Sequence, residues 1–241
     1  MEFLYEIYNM ASANGFVDFK EKVPAKLEKN LKYPLRTYQK EALGRYLHYK
    51  EDVKNFLSPE HVLFNMATGS GKTLLMASLI LEKYQQGERN FIFFVNNDNI
   101  LTKTRDNFLT AGASKYLFAE KIVLNNQVVP VREVTDFSDS NPNAINIVFT
   151  TIQKLHQDLN TPRENRLSYE QFEDISVVLL ADEAHHLNAG LNAGEKKDNT
   201  SWTSTIENIQ KTAKKSSLLE FTATIDLNNK DIAQKYEKHL L

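Results

Sequence analysis

Two short stretches of this chain carry the residue types of phosphate chemistry. The first is Met66-Ala67-Thr68-Gly69-Ser70-Gly71-Lys72-Thr73. The second, Val177-Val178-Leu179-Leu180-Ala181-Asp182-Glu183-Ala184-His185, is an aliphatic run that ends in two adjacent carboxylates. In the first, Gly69 and Gly71 permit the tight turn that points backbone N–H groups inward at an anion, so the backbone from Thr68 through Ser70 to Gly71 becomes a phosphate cradle. Lys72 supplies a point charge for the β- and γ-phosphates, and the Thr73 hydroxyl can hold a magnesium ion. A helix that begins there turns its positive end toward the anion. In the second, Asp182 can reach the hydration shell of the same metal, and Glu183 can orient or deprotonate an attacking water. A strand that ends in two acidic residues is ordinary by itself. With the phosphate cradle upstream, the pair predicts a nucleoside triphosphatase site that uses Mg2+.

The flanking residues supply the elements such a site needs. His61 to Asn65 is apolar and strand-like, and Leu74 to Leu81 is a good helix former. Strand, glycine loop and helix is the arrangement the mechanism requires, although the strict pattern places Gly where Met66 stands. Val177 to Leu180 suits a central parallel strand buried on both faces. Further along, Phe91–Val95, Lys121–Leu124, Ile145–Phe149 and Leu218–Phe221 read as strands. Arg36–Phe56, Asn99–Leu109 and Thr151–Leu159 read as helices. This alternation predicts an α/β fold around a mostly parallel sheet, with ligand bound at the carboxyl ends of the strands. Residues 1–30 form a preface in which Phe3, Leu4, Ile7, Tyr8 and Met10 have helical spacing that Gly15 interrupts. Residues 31–241 form the main domain. Asn188 to Ser201 is a polar loop, followed by a helix opened by Ser201-Trp202 and carrying Ile206 and Ile209.

The loop and the Asp182-Glu183-Ala184-His185 tetrad resemble the first and second motifs of superfamily 2 helicases, which do not require the leading glycine. Arg36-Thr37-Tyr38-Gln39 lies where these proteins carry a glutamine that reads the adenine edge, so the resemblance adds Gln39 and Arg36 to the nucleotide site and implies that the nucleotide is ATP. Thr222-Ala223-Thr224 resembles the third motif, which implies that His185, Thr222 and Thr224 couple the ATP state to a neighbouring domain. The four motifs span residues 36–224 and imply a RecA-like three-layer domain, the first of two lobes. More narrowly, Arg36-x-Tyr38-Gln39, Met66 to Thr73 and Asp182-Glu183-Ala184-His185-His186-Leu187-Asn188 are similar to the restriction subunit of type III restriction–modification enzymes. That resemblance implies a DNA-dependent ATPase and translocase, double-stranded DNA as partner, and a methyltransferase subunit beside it. In the superfamily a second lobe supplies charge-stabilising arginines. The 241 residues leave no room for that lobe or for a nuclease, so this polypeptide alone is expected to hydrolyse ATP at or near background.

Two further segments carry two readings each. Asn96 and Asn97, after the Phe91–Val95 strand, could donate to a nucleic-acid phosphate, or the turn could be an ordinary helix entry capped by Asp98. Thr150, Thr151 and Gln153 could touch phosphate or sugar, or they could form a capped helix start. Glu195-Lys196-Lys197 matches half of a nuclease motif but lies in a charged loop with no strand beside it. His185 and His186 have no partner at zinc spacing, and Trp202 reads as a core anchor.

Composition narrows the alternatives. Hydrophobic residues make up 41% and charged residues 25% of the chain, as in globular domains. A net charge of −2 gives no global basic field, so any nucleic-acid contact must be a local groove. There are no cysteines, which excludes disulfides, thiolate zinc sites and cysteine nucleophiles. No apolar run approaches membrane-spanning length, and the expected compartment is the cytoplasm. The competing expectations are a lobe of another superfamily 2 DNA or RNA helicase, and a nucleotide-binding interaction module without turnover.

Overall fold

The computed structural model describes residues 3–161, 165–184 and 196–241. Its centre is a six-stranded parallel sheet in which apolar residues alternate between two packed faces. The strands are β1 (Glu60–Asn65), β2 (Asn90–Val95), β5 (Val131–Glu133), β6 (Ile145–Thr151), β7 (Ser176–Asp182) and β8 (Lys215–Thr222), in the order β1-β8-β7-β2-β6-β5. Along β2 every residue is buried; Phe91, Phe93 and Val95 enter one core cluster, and Ile92 and Phe94 enter the other. A strand enclosed on both faces has no polar side to spare, which explains the unbroken aliphatic run of β7.

Helices cover both faces. On the first lie α3 (Thr37–Glu51), α4 (Lys72–Gln85) and α5 (Asp98–Leu109); on the second lie α6 (Ile152–Asn160), α7 (Lys196–Thr212) and α8 (Lys230–Tyr236). The amino-terminal α1 (Leu4–Ala13) and the short α2 (Ala25–Glu28) sink Leu4, Tyr8 and Leu27 into the first cluster. The C-terminal end runs along β1, with the Leu63 N–H donating to His239 O and the Leu241 N–H donating to Leu63 O. No helix of the described residues is long and apolar enough to cross a membrane.

Charges taken into the interior are paired. Lys83, fully buried, meets Glu60, and both meet the Ser217 hydroxyl at 2.8 Å. This cluster joins β1, α4 and β8 below the sheet's carboxyl edge and leaves that edge to the loops.

Three sequence expectations need correction. Lys121–Leu124 is not a sheet strand: only Val123–Leu124 (β3) is extended, and it pairs antiparallel with Gln127–Val128 (β4). Asn125 and Asn126 adopt positive φ and fold the chain straight back, a hairpin signal of the asparagine type. The sheet's edge is instead the short β5, which alternation did not reveal. The polar loop ends earlier than Ser201, because α7 already begins at Lys196. Within α7, Ile206 and Ile209 are buried and Trp202 packs against the second cluster. His185, His186 and Glu195 lie outside the described residues.

Candidate nucleotide site

The glycine loop leaves the carboxyl end of β1 and turns directly into α4. Gly69 and Gly71 have φ of +76° and +80°, values that side-chain-bearing residues rarely adopt. Gly71 is also the N-cap of α4, so the helix's free N–H groups open toward the loop. A Cβ on Gly71 would come within 2.6 Å of Gln39 Nε2, so a larger residue there would have to displace that amide in addition to straining the backbone.

The strand order explains why distant motifs meet. β8 lies between β1 and β7, so the Thr222–Thr224 turn stands between the glycine loop and the two carboxylates. The Met66 N–H donates to Thr222 O at 2.8 Å, and the Ala184 N–H donates to Phe221 O at 2.9 Å. Thr222 Oγ1 closes its own turn by donating to Thr224 O at 2.8 Å. The turn is thus tied to both flanks by backbone hydrogen bonds.

One cavity of about 710 Å³ collects most of the predicted nucleotide residues, though not Thr68 or Ser70, the latter lining a neighbouring cavity. Arg36, Gln39, Gly69, Gly71, Lys72, Thr73, Asp182 and Glu183 all line it. Lys72, largely buried, lies 3.5 Å from Met66 O and 4.0 Å from Glu183 Oε1. Glu183 holds a φ of +56°, a strained conformation for a non-glycine residue. Its N–H donates to Asp182 Oδ1 at 3.0 Å. Burial raises the Asp182 carboxyl, the neighbouring Glu183 raises it further, and Lys72 opposes both; the result is a value of about 6. A carboxylate so short of positive charge is one that a cation would suit. Magnesium takes only one or two protein oxygens and completes its shell with water and phosphate, so Thr73 and Asp182 fit it without a larger ligand cluster. Among the described residues no group of three or more His, Cys, Asp or Glu forms a metal cage.

The cavity also has walls that the motifs did not announce. Tyr33 and Pro34 line it ahead of Arg36, Asn107 lines it from α5, and Lys115 and Leu117 line it from the loop that follows. The 113–117 loop is tied to the 32–33 segment, since Lys32 Nζ donates to Ala113 O at 3.1 Å and the Tyr33 hydroxyl donates to Ser114 O at 2.5 Å. No periodicity marks this loop; the only available sign was a lysine in an otherwise uncharged stretch.

The expected nucleic-acid residues lie on the same edge of the sheet. Gln153 Nε2 donates to Asn96 Oδ1 across the ends of β6 and β2. Asn97 is the α5 cap, accepting from the Asn99 N–H at 2.8 Å, so the cap is Asn97 and not Asp98. Thr151 caps α6 by accepting from the Lys154 N–H, and both Thr150 and Thr151 are buried. Asn97 and Gln153 are exposed.

Residues 32–227 match the family model described as type III restriction enzyme, res subunit. The chain belongs to that family. A relative from Haemophilus influenzae (strain ATCC 51907 / DSM 11121 / KW20 / Rd), described as "Probable type III restriction-modification enzyme HindVIP Res subunit", is 40% identical over 248 residues. That match covers 91% of this chain and 48% of the relative, so this res-family chain spans about half the length of the curated relative it matches. Among solved structures, the UvsW helicase from bacteriophage T4 has a TM-score of 0.52 at 15% identity, covering 99% of this chain and 77% of that one. The Sulfolobus solfataricus SWI2/SNF2 ATPase core has a TM-score of 0.53 at 16% identity, covering 87% and 36%. At such identities the likeness shows the fold alone, a RecA-like lobe, which the parallel sheet of the res-family chain shares.

Proposed function

We propose that this chain is the ATP-binding motor lobe of a type III restriction subunit, acting within a larger DNA-dependent ATPase. The observation that carries the reading is the single cavity on which Gly69, Gly71, Lys72, Thr73, Asp182 and Glu183 converge, with Gln39 at its wall. The loop's N–H groups and Lys72 bind the polyphosphate. Thr73 and Asp182 would hold Mg2+, which would neutralise charge on the phosphate oxygens. Glu183 orients a water for in-line attack and accepts its proton. Thr222 and Thr224, hydrogen-bonded between the two flanks of the site, are the residues that pass its state onward, with His185 from the same motif. Double-stranded DNA is the proposed nucleic-acid partner, reached by Asn96, Asn97 and Gln153 on the exposed edge. Thr150 and Thr151 support that edge from within. A methyltransferase subunit is the proposed protein partner.

Titration of purified protein with a fluorescent adenine nucleotide and Mg2+ tests the reading, and Lys72→Ala is the control. Saturable binding that the variant weakens is the expected result. Absence of binding by the wild-type chain would refute the proposal. Hydrolysis by residues 1–241 alone is expected at or near background. A DNA-stimulated turnover abolished by Glu183→Gln would instead make this lobe self-sufficient.

A further inference from the structure

We infer that Lys115, which lies in none of the motifs, is a second cation for the phosphate chain of the nucleotide, carried to the cavity by a loop fastened on both sides of it. The inference rests on the proposed nucleotide site and adds a binding residue to it. Three basic side chains, Arg36, Lys72 and Lys115, line the cavity together with two carboxylates, Asp182 and Glu183. Two of the three cations are already engaged. Lys72 lies 4.0 Å from Glu183 Oε1, so its charge is divided between that carboxylate and an incoming anion. Arg36 Nη1 donates to the Tyr38 hydroxyl at 3.0 Å, which spends part of its guanidinium. Lys115 makes no ion pair among the described residues. A nucleoside triphosphate remains an anion even with Mg2+ bound, and Asp182 and Glu183 repel it. An uncommitted ammonium on another wall of the same cavity offsets that repulsion.

The lysine side chain is exposed, yet its place in the chain is fixed. Before it, Ala113 O accepts from Lys32 Nζ at 3.1 Å and Ser114 O accepts from the Tyr33 hydroxyl at 2.5 Å. After it, Leu117 O accepts from the Lys32 N–H at 2.9 Å, and the Leu117 N–H donates to Asn107 O at 3.0 Å. The Ala119 N–H donates to Asn30 O at 2.9 Å, and Phe118 between them is fully buried. The backbone at Lys115 therefore leaves the cavity only if several of these bonds break. What stays mobile is the stem of the side chain, whose three donors can follow the oxygens of a diphosphate or a triphosphate. Fixed backbone and adaptable head suit a contact to the phosphate chain, which every nucleotide carries, rather than to one face of a base.

Competition against a fluorescent ADP, with the wild-type chain, Lys115→Gln and Lys115→Arg, tests this. Glutamine keeps much of the length and removes the charge. At about 0.01 M ionic strength, where the Debye length is about 30 Å, Lys115→Gln should bind ATP, ADP and inorganic triphosphate about two- to fivefold more weakly than wild type, the worth of an exposed ion pair. The deficit should vanish at about 1 M, where that length is about 3 Å. Lys115→Arg should match wild type at both ionic strengths, and both variants should keep the wild-type melting temperature. Unchanged affinity of Lys115→Gln at low ionic strength would overturn the inference and leave the phosphate site intact. A deficit of equal size at both ionic strengths would overturn it as well, because charge would not be its cause. So would a deficit with ATP and none with inorganic triphosphate, which would set Lys115 against ribose or base. Failure of the wild-type chain to bind the fluorescent ADP or any competitor would remove the nucleotide site and the inference together.

Discussion

Asp182 and Glu220 are two enclosed carboxylates on adjacent parallel strands, with Glu220 paired to Ala181, the residue before Asp182. Their acidities move in opposite directions. At Asp182 burial dominates, Glu183 adds to it, and the carboxyl rises to about 6. At Glu220 burial also pushes upward, but His61, Lys235 and a hydrogen bond from Tyr236 overcome it and hold the group near 2. His61 Nε2 lies 2.5 Å from Glu220 Oε2, and His239 stacks on His61 at 4.3 Å. Glu220 is thus compensated within the fold and belongs to its architecture. Asp182 is under-compensated on the wall of a cavity. A half-buried carboxylate short of partners on a cavity wall is one that a cation would suit.

The largest test of this contrast is Glu220→Ala. It strips a buried pair and should lower unfolding free energy by about 3–5 kcal/mol in urea titrations, with nucleotide affinity of the folded protein unchanged. A wild-type midpoint would erase the distinction. Next comes Lys72→Ala, which removes the cation within 4.0 Å of Glu183. It should weaken ATP binding about ten- to a hundredfold by calorimetry, the worth of a charge-assisted bond, while changing the melting temperature far less than the Glu220 variant does.

Asp182→Asn should do the reverse of Glu220→Ala, holding or raising stability by up to about 1 kcal/mol at neutral pH while abolishing metal-dependent binding. The pH dependence gives the sign. The folded value of Asp182 lies above its ordinary 3.8, so the native state binds the extra proton. Its stabilising contribution is therefore present below 3.8 and lost as pH rises through about 6. Glu220 contributes above 4.5 and loses that contribution as pH falls toward 2; His239, held down to about 4, loses its own between 6.5 and 4. Melting curves from pH 4.5 to 7.5 should show wild type losing ground to Asp182→Asn as pH rises. A parallel pair of curves would contradict the assignment. The smallest effect is at Glu183, whose φ of +56° suits glycine. Glu183→Gly should leave stability within about 1 kcal/mol of wild type, strain relief offsetting chain entropy, and chemical denaturation would detect a larger drop.

The proposed phosphate and metal end of the cavity was legible in the sequence because its residues fall in two short contiguous stretches and each has a local reason. Gly69 and Gly71 need positive φ, Lys72 and Thr73 follow them into a helix, and Asp182-Glu183 end a doubly buried strand. What was not legible depends on contacts between segments far apart in the chain. Lys115 lines the cavity from a loop latched to Lys32 and Tyr33, and Asn107 lines it from α5. The Gln39 amide donates to two carbonyls more than thirty positions away. The sheet order, which inserts β8 between β1 and β7, follows from packing rather than from any strand's own pattern. Thr150 and Thr151 have the polar types of a contact surface, yet their strand is enclosed and Thr151 is spent on a helix cap.

The central claim is that Asp182 is an unfinished charge which nucleotide-bound magnesium completes. Calorimetric titration of ATP into the wild-type chain and into Asp182→Asn, each with Mg2+ and with EDTA, tests it most directly. The account predicts that Mg2+ tightens ATP binding to wild type and that this gain disappears in Asp182→Asn, with residual metal-free binding through the glycine loop common to both. Equal affinity of the wild-type chain in Mg2+ and in EDTA, or an undiminished magnesium effect in Asp182→Asn, would contradict it.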